Sequence, residues 1–314
     1  MKALVTGAAG FIGSHVAEAL CRRGAQVIAL DNLSTGRLEN LAWKLAGDEL
    51  EFVEGDVCDE RLVRGLVDGC DWVFHLAALP SVPISVARPV ESDRHTLGGT
   101  LRCLVAAREA GVKRFVFASS SAIYGSGHAP PQGEDLAPDP LSPYALQKYA
   151  AERYSQLFHR LYGLETVSLR YFNVFGPRQG FDSPYSGVIA RFCTAFLGGE
   201  RPTVFGDGLQ SRDFVYIENV VAANLLAAEA APERVGGRVF NIGGGGSVNL
   251  LQLITELERL TGRSLEPRFE PARAGEVRFS QADITAARRD LGYEVQVPWP
   301  VGLDKTLAFY RGSR

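Results

Sequence analysis

A tyrosine and a lysine four positions apart are a pair that could move a proton. Tyr144 and Lys148 lie in the segment Ser142–Lys148 (SPYALQK), in which Ser142 suits a helix N-cap and Pro143 the first helical position. Residues i and i+4 share a helix face, so the two side chains are expected to be neighbours. An ammonium at about 4–5 Å supplies roughly 3–4 kcal/mol at an effective dielectric near 20, about what lowers a phenol pKa from 10 to 7. The pair therefore predicts a tyrosine that acts as a base.

The position of this pair matters more than its spacing, because a Y-x-x-x-K match also arises by chance. The pair follows a fifth predicted strand, which ends in Ala118–Gly125 (ASSSAIYG). Ligands bind at the carboxyl ends of parallel strands. A hydroxyl of this serine run could hold a substrate oxygen beside the phenol, although backbone hydrogen bonds in a turn account for at least one of the serines.

A glycine-rich segment near the N-terminus predicts a nucleotide site. The residues Gly7, Gly10, Phe11, Ile12 and Gly13 lie between a first strand and a first helix. Glycines let the backbone approach a pyrophosphate, which then sits at the helix N-terminus. A tight strand–helix turn is the alternative interpretation of such a pattern on its own.

The acid after the second strand indicates which dinucleotide binds. Asp31 can accept hydrogen bonds from the adenosine ribose and repels a 2′-phosphate, which favours NAD; Arg37 is the argument for NADP. Asp56 ends the next strand and could reach the adenine, or it belongs to an ordinary turn. The predicted cofactor contacts further include Asn32, Ser34, Gly36, Val57, Leu76, Ala77, Ala78, Ser119, Tyr144, Lys148 and Tyr171. By contrast, Gly243–Gly246 is interpreted as a turn, since no lysine follows at phosphate-loop spacing.

Short apolar runs alternate with helical patterns over the first 170 residues. This alternation predicts an α/β fold with a Rossmann-type, doubly wound parallel sheet covered by helices on both faces. The predicted strands are Ala3–Thr6, Gln26–Leu30, Leu50–Glu54, Trp72–Leu76, Arg114–Ala118 and Thr166–Arg170. The predicted helices include Phe11–Arg23, Leu97–Ala110 and Pro143–Tyr162.

The rhythm changes beyond about residue 174, where Pro and Gly become frequent. We therefore predict an NAD-binding domain over 1–173 and a smaller, mixed substrate-binding lobe over 174–314, with some segments, such as Val239–Ile242, returning to the main sheet. The predicted helices of the lobe are Gly187–Leu197, Ile217–Glu229, Leu250–Thr261 and Asp283–Leu291.

Composition excludes several classes of protein. A net charge of −3 gives no basic surface for nucleic acid, and no apolar run is long enough to span a membrane. The short apolar N-terminus runs directly into the glycine segment, so we expect a strand and not a targeting signal. Five scattered cysteines without a C-x-x-C pair predict neither disulfides nor a metal site. We expect a reduced, cytoplasmic protein.

Together these motifs resemble the extended short-chain dehydrogenase/reductase family, and in particular its NAD-dependent nucleotide-sugar 4-epimerases. The resemblance covers essentially the whole chain. Aligned on Tyr124-Gly125, it implies a catalytic triad of Ser120, Tyr144 and Lys148. Dehydratases of the family carry an Asp-Glu pair where this chain has Ser121-Ala122, so the resemblance argues against elimination.

The resemblance also implies the residues that bind the nucleotide sugar. Asn173 follows the sixth strand in Leu169–Arg178 (LRYFNVFGPR), and Arg212 matches an arginine that binds the diphosphate. Arg273 and Glu276 match a pair that grips diphosphate and ribose. The remaining implied substrate contacts are Ser81, Ser85, Ser120, Ser121, Tyr144, Val188, Val204, Phe205 and Ser280.

The small residue Ser280 bears on the choice of sugar. Epimerases of this family that are restricted to plain hexoses carry a bulky aromatic at the matching position. The resemblance therefore implies room for a 2-N-acetyl group and reversible C4 epimerisation of a UDP-hexose, most of all UDP-GlcNAc/UDP-GalNAc and also UDP-Glc/UDP-Gal.

In the implied reaction Tyr144 removes the 4-OH proton while the C4 hydride passes to NAD and later returns to the other face. The alternatives inside the family are a UDP-uronic acid 4-epimerase and a UDP-glucuronate decarboxylase. A non-catalytic NAD-sensing module is the alternative from another class, although it predicts an incomplete triad. The resemblance also implies a homodimer formed through the helices around Leu97–Ala110 and Tyr149–Tyr162.

Overall fold

A parallel sheet dominates the computed structural model, which describes residues 1–180, 187–272 and 277–312. The strands are β1 (Lys2–Thr6), β2 (Gln26–Asp31), β3 (Leu50–Glu54), β4 (Trp72–His75), β5 (Arg114–Ser120), β6 (Thr166–Tyr171), β7 (Asn173–Phe175), β8 (Thr203–Phe205), β9 (Ser211–Arg212), β10 (Phe214–Tyr216), β11 (Arg238–Ile242), β12 (Val248–Asn249) and β13 (Arg268–Glu270). The helices are α1 (Phe11–Arg22), α2 (Glu60–Val67), α3 (Val82–Ala87), α4 (Pro89–Asp93), α5 (Gly99–Glu109), α6 (Pro143–Tyr162), α7 (Val188–Gly198), α8 (Ile217–Glu229), α9 (Pro232–Val235), α10 (Leu250–Thr261) and α11 (Trp299–Gly312).

The central sheet has the strand order β3-β2-β1-β4-β5-β6-β11, and all neighbouring strands run parallel. Val5 of β1 lies opposite Ala29 of β2 on one side and Phe74 of β4 on the other. The connection reverses direction between β1 and β4, and such a switch point opens a crevice at the carboxyl ends of the strands. The predicted Rossmann-type fold is confirmed.

Helices cover both faces of this sheet, which explains why its strands are apolar throughout. On one face α1 packs against α8, with Val16 and Leu20 buried in the core. On the other face α5 packs between α2 and α6, with Leu104 and Phe158 buried. Each helix thus presents an apolar stripe to the sheet and holds the strand ends in place.

Three short pairings, β10-β7, β12-β9 and β13-β8, form the mixed part that follows β6. β11 leaves this region and pairs with β6 over the register Arg238–Ile242 to Val167–Tyr171. Gly243–Gly246 is the turn after β11, as predicted, and the amide of Gly244 donates a hydrogen bond to the buried carboxylate of Asp213. No helix in the described part of the chain has the length and apolar character that a membrane crossing requires.

Several elements differ from their predicted form. The predicted helix Leu97–Ala110 starts instead with a π-helical turn over Arg94–Gly98, before α5. The predicted helix Asp283–Leu291 is mainly a π-helical turn over Ala287–Leu291. The sequence did not indicate α11, because two prolines and a glycine surround its start, yet its buried side chains have helical spacing. Tertiary packing outweighs local propensity at these positions.

Candidate active site

The N-terminus of α6 positions Tyr144 at the edge of the sheet. The hydroxyl of Ser142 accepts a hydrogen bond from the amide of Ala145 at 3.2 Å, which confirms the predicted N-cap. The fully buried hydroxyl of Ser85 accepts one from the amide of Tyr144 at 3.1 Å and donates to the carbonyl of Val82 at 2.7 Å. Two hydroxyls therefore hold the first turn that carries the tyrosine.

Ser120, Tyr144 and Lys148 meet next to this turn. The hydroxyl of Ser120 lies near the phenol of Tyr144 and accepts a hydrogen bond from the amide of Ala122 at 3.2 Å. Nζ of Lys148 donates to the carbonyl of Ala118 at 2.7 Å and lies 5.0 Å from the centroid of the Phe117 ring. Tyr144 and Lys148 thus line one cavity, Ser120 lies near Tyr144, and the catalytic triad stays a prediction.

Burial controls the proton affinities of this group. It raises the pKa of Tyr144, and the hydrogen bond from Ser120 lowers it in part. Burial also lowers the pKa of Lys148 to about 7, so the amine is only partly charged near neutral pH. The same desolvation weakens the positive charge that Lys148 can offer to the phenol, so the role of Tyr144 as a base stays a prediction.

Adjacent serines of β5 do different things. The hydroxyl of Ser119 donates to Oε2 of the buried Glu152 at 2.7 Å. Arg170 grips the same carboxylate with Nε at 2.9 Å and Nη2 at 2.7 Å, and its Nη1 donates to the hydroxyl of Tyr124 at 2.8 Å. Both serines therefore lie against α6: Ser119 is bonded to Glu152 in the middle of the helix, and Ser120 lies near Tyr144 in its first turn.

The glycine-rich loop has no room for side chains. Gly7 has φ +68°, and a Cβ there would lie 2.9 Å from the amide of Ala77. A Cβ on Gly13 would lie 2.0 Å from the carbonyl of Gly7. The carboxylate of Asp31 accepts from the amides of Ala9 at 2.9 Å and Leu33 at 2.8 Å, which ties the loop to the end of β2. This close-packed cradle fits the pyrophosphate of a dinucleotide.

A cavity of about 730 Å³ runs from this loop to Tyr144 and Lys148. It lies over the crevice between β1 and β4. Most of the predicted cofactor residues line it, namely Gly7, Gly10, Phe11, Ile12, Gly13, Asp31, Asn32, Ser34, Val57, Leu76, Ala77, Ala78, Ser119, Tyr144, Lys148 and Tyr171. The remaining two contact residues that line the cavity. Gly36 packs against the Asp31 carboxylate, and Asp56 accepts a hydrogen bond from the Asn32 side chain at 3.2 Å.

Some lining residues were missed by the sequence analysis. Asn40 donates to the carbonyl of Ala9 at 2.8 Å, and Phe309 comes from α11. Arg178 has φ +66° and forms an ion pair with Glu18. Asn40 and Phe309 belong to no motif that the sequence offers, so only their tertiary placement reveals them.

A second group of predicted residues assembles around β9. The amide of Ser211 donates to the carbonyl of Arg278 at 3.0 Å, and the amide of Ser280 donates to the carbonyl of Ser211 at 3.1 Å. This pairing brings Arg212 and the buried Ser280 into one neighbourhood, although 67 intervening residues separate them along the chain. Nη1 of Arg212 donates to the carbonyl of Arg278 at 3.2 Å.

The other predicted substrate residues occupy separate elements. Ser81 caps α3 by accepting from the amide of Ile84 at 3.3 Å, and Ser121 begins a 3₁₀ turn after β5. Asn173 donates to the carbonyl of Asp213 at 3.3 Å. Val188 begins α7, whereas Val204 and Phe205 lie on β8. Arg273 and Glu276 lie outside the described residues.

Comparison with known proteins agrees with this architecture. The sequence profile of the NAD dependent epimerase/dehydratase family matches residues 3–243. The UDP-glucose 4-epimerase of Mycolicibacterium smegmatis is 41% identical, over 100% of this chain and 99% of its own length. Two solved structures also match over the full chain length. The UDP-N-acetylglucosamine 4-epimerase of Methanobrevibacter ruminantium, in complex with UDP-N-acetylmuramic acid, has a TM-score of 0.94 and 37% identity, with 100% of this chain and 99% of that one covered.

The other is the UDP-glucuronic acid 4-epimerase of Bacillus cereus, in complex with UDP-glucuronic acid and NAD, with a TM-score of 0.91 and 31% identity over 100% of both chains. The resemblance found in the sequence is confirmed, and so is the predicted cofactor. The chain belongs to the NAD-dependent epimerase/dehydratase family, and it is an enzyme whose cofactor is NAD.

Proposed function

We propose that this enzyme catalyses the reversible C4 epimerisation of a UDP-hexose through a 4-keto sugar. The observation that carries the proposal is that Tyr144 and Lys148 line the same cavity as the glycine-rich loop, with Ser120 near the Tyr144 phenol. A phenol and a neighbouring hydroxyl can hold one sugar oxygen between them and move its proton.

The cavity residues from Gly7 to Tyr171 are proposed to hold NAD, with the pyrophosphate at the N-terminus of α1 and the adenosine ribose at Asp31. We propose that Asp56 and Val57 bind the adenine. Bound NAD supplies the hydride acceptor and donor for C4, and its cationic ring adds the positive charge that Lys148 alone does not provide.

Within the protein, the proton moves through a short path. Tyr144 accepts the proton of the 4-OH as the sugar is oxidised and returns it when the keto group is reduced on the other face. Ser120 donates a hydrogen bond to the 4-oxygen, and Lys148 binds the nicotinamide ribose. The reaction has no net redox change, so a tightly held cofactor suffices.

The sugar must turn over between the two half-reactions, so the anchor has to be the nucleotide. We propose that Asn173, Arg212 and Arg273 hold the nucleotide diphosphate, with Glu276 at the ribose and Val188, Val204 and Phe205 around the uridine. Ser81, Ser85, Ser121 and Ser280 are proposed to line the path of the sugar. On this proposal residues 1–173 bind NAD and 174–314 bind most of the substrate.

UDP-GlcNAc/UDP-GalNAc is the pair we favour, because Ser280 is small and leaves space for an N-acetyl group. UDP-Glc/UDP-Gal is proposed as a second pair. The match to a UDP-glucuronic acid 4-epimerase supports a UDP-uronic acid 4-epimerase as the alternative. Cytoplasmic localisation and a homodimer stay predictions.

One assay separates these possibilities. The purified enzyme is incubated separately with UDP-GlcNAc, UDP-Glc, UDP-GlcA and UDP-GlcNAcA, and the products are identified by nuclear magnetic resonance. We expect UDP-GalNAc from UDP-GlcNAc, without accumulation of free NADH. If only a UDP-uronic acid is epimerised, that uronate replaces UDP-GlcNAc as the proposed substrate. A UDP-pentose product would indicate decarboxylation. The absence of any C4 epimer would refute the proposal.

A further inference from the structure

Three potential metal ligands meet at the edge of the cofactor cavity. Asp56 and Cys58 lie in the turn between β3 and α2. His95 belongs to the π-helical turn Arg94–Gly98, on a different segment of the chain. The neighbouring Val57 and His95 itself line the cavity.

The separations of these ligand atoms suit a tetrahedral metal. Nδ1 of His95 is 3.5 Å from Oδ2 of Asp56 and 3.6 Å from Sγ of Cys58, and all three ligand atoms lie within 4.8 Å of one another. Bonds of about 2.0–2.3 Å at tetrahedral angles separate nitrogen, oxygen and sulfur ligands by roughly 3.3–3.6 Å. The residues therefore need little movement to close around an ion.

The surroundings of these three residues also favour the binding of a metal ion. A π-helical turn costs backbone stability and is frequently found at functional sites. The side chains of His95 and Asp56 are 23% and 30% exposed, so an ion can reach them. Within the described part of the chain, the Cys58 thiol has one hydrogen-bond partner besides Asp56 and His95. This partner is the carbonyl of Arg94, to which the thiol donates at 3.2 Å.

We propose that Asp56, Cys58 and His95 form a three-ligand site for a divalent metal of the zinc class, with water in the fourth position. Carboxylate, thiolate and imidazole are the ligands that this class accepts. Burial and Asp56 raise the pKa of the Cys58 thiol to about 11, so binding releases one proton as the sulfur–metal bond forms.

The site competes with the cofactor. On the proposed function, the adenine of NAD binds at Asp56, whose Oδ2 also faces His95. A metal bound to that oxygen and an adenine amino group on the same carboxylate exclude each other, so each must weaken the other by the same factor. This competition rests on the proposed position of the adenine, whereas metal binding itself does not.

Co²⁺ titration of the full-length enzyme, after bound NAD has been removed, tests the site without any measurement of activity. We expect one equivalent of Co²⁺ to produce the near-ultraviolet absorption of a thiolate–cobalt bond and the visible bands of tetrahedral Co²⁺, and Zn²⁺ to remove both. Cys58→Ala should abolish the thiolate band, and His95→Gln should weaken Co²⁺ binding at least about 10-fold.

Cys70→Ala is the matched control, because the Cys70 sulfur also donates to a carbonyl, that of Leu66, at 3.2 Å but belongs to no group of potential metal ligands among the described residues. It should leave the spectrum unchanged. Lack of a thiolate band in the unmodified enzyme, or its persistence in Cys58→Ala, would overturn the proposal. Saturating NAD should weaken Co²⁺ binding at least several-fold, and an unchanged affinity would overturn the competition.

Discussion

The cofactor side and the substrate side of the proposed active site are built in different ways. All but two of the predicted cofactor residues line one cavity at the carboxyl ends of neighbouring parallel strands. Among the described residues predicted to bind substrate, only Tyr144 lines that cavity. The others are spread over separate elements, and Arg212 and Ser280 meet only through short pairings, such as that of Ser211 with Phe279. A regular sheet gathers its strand ends automatically, whereas a lobe of two- and three-residue strands needs specific long-range contacts.

Tyr144→Phe removes the phenol oxygen, which lies where the proposed cofactor and substrate sites meet. It should have the largest effect on kcat. General acid–base catalysis contributes about 10²–10⁴-fold, so we expect kcat to fall by that amount. The NAD that co-purifies with the protein should be unchanged. Tyr149→Phe, on the same helix, is the control and should retain full activity; near-normal turnover by Tyr144→Phe would refute the proton path.

Lys148→Met should lower kcat about 100-fold, the effect of removing roughly 2.7 kcal/mol of stabilisation by a charged group. The same change should stabilise the protein when NAD has been removed. The folded-state pKa of Lys148, about 7, lies below that of an unfolded lysine, about 10.4. The unfolded chain therefore binds more protons between these values, and the stability of the unmodified protein rises with pH across that window.

The melting temperature of Lys148→Met should therefore exceed that of the unmodified protein most at pH 7 and below. This difference should shrink as the pH approaches 10. Lys113→Met is the comparison variant, because the Lys113 side chain is 74% exposed and should show no such trend. A variant that is less stable than the parent at pH 7 would contradict the buried-amine argument.

Arg212→Met tests the substrate side alone. A hydrogen bond to a charged group is worth about 1.5–3 kcal/mol, so the KM for the UDP-sugar should rise about 10- to 100-fold, with NAD content unchanged. Arg201→Met, on a half-exposed arginine paired with Glu266, is the control. An unchanged KM in Arg212→Met would remove this residue from the proposed diphosphate site.

Asp31→Ala tests the cofactor side alone. The loop amides of Ala9 and Leu33 lose their acceptor, and the adenosine ribose loses its proposed partner. We expect NAD to bind about 10-fold more weakly, measured as cofactor retained after gel filtration, while the KM at saturating NAD stays the same. Asp68→Ala, at the C-terminus of α2, should retain NAD as the parent does. Full retention by Asp31→Ala would argue against the proposed ribose contact.

Ser280→Tyr should give the smallest effect, because it changes only the space around the sugar. Ser280 is 9% exposed, and a tyrosine there should lower kcat/KM for UDP-GlcNAc several-fold relative to UDP-Glc, as a steric difference of about 1 kcal/mol does. Ser280→Ala should leave the ratio unchanged. An equal loss for both sugars would show that Ser280 does not decide between them.

Prediction from sequence succeeded wherever one continuous segment carries the information. Glycine spacing and apolar pattern predict the strand–loop–helix from Lys2 to Arg22. The capping serine and the apolar periodicity predict α6 in the same way. The predicted start of α5 was wrong, and helix α11 was not predicted. A π-helical turn and a proline-flanked helix form only through packing against the rest of the protein, which the local sequence does not show.

The sequence by itself determined the fold class, the NAD site and the Tyr144–Lys148 pair, since a parallel sheet brings its strand ends together whatever the loops do. Only the tertiary structure showed that Ser119 is bonded to the buried Glu152, which Arg170 also holds. It alone also placed Ser280 beside β9, set the pKa of Lys148 by burial, and brought His95 to Asp56 and Cys58. These are contacts between distant segments, and their free energy comes from packing that no local pattern records.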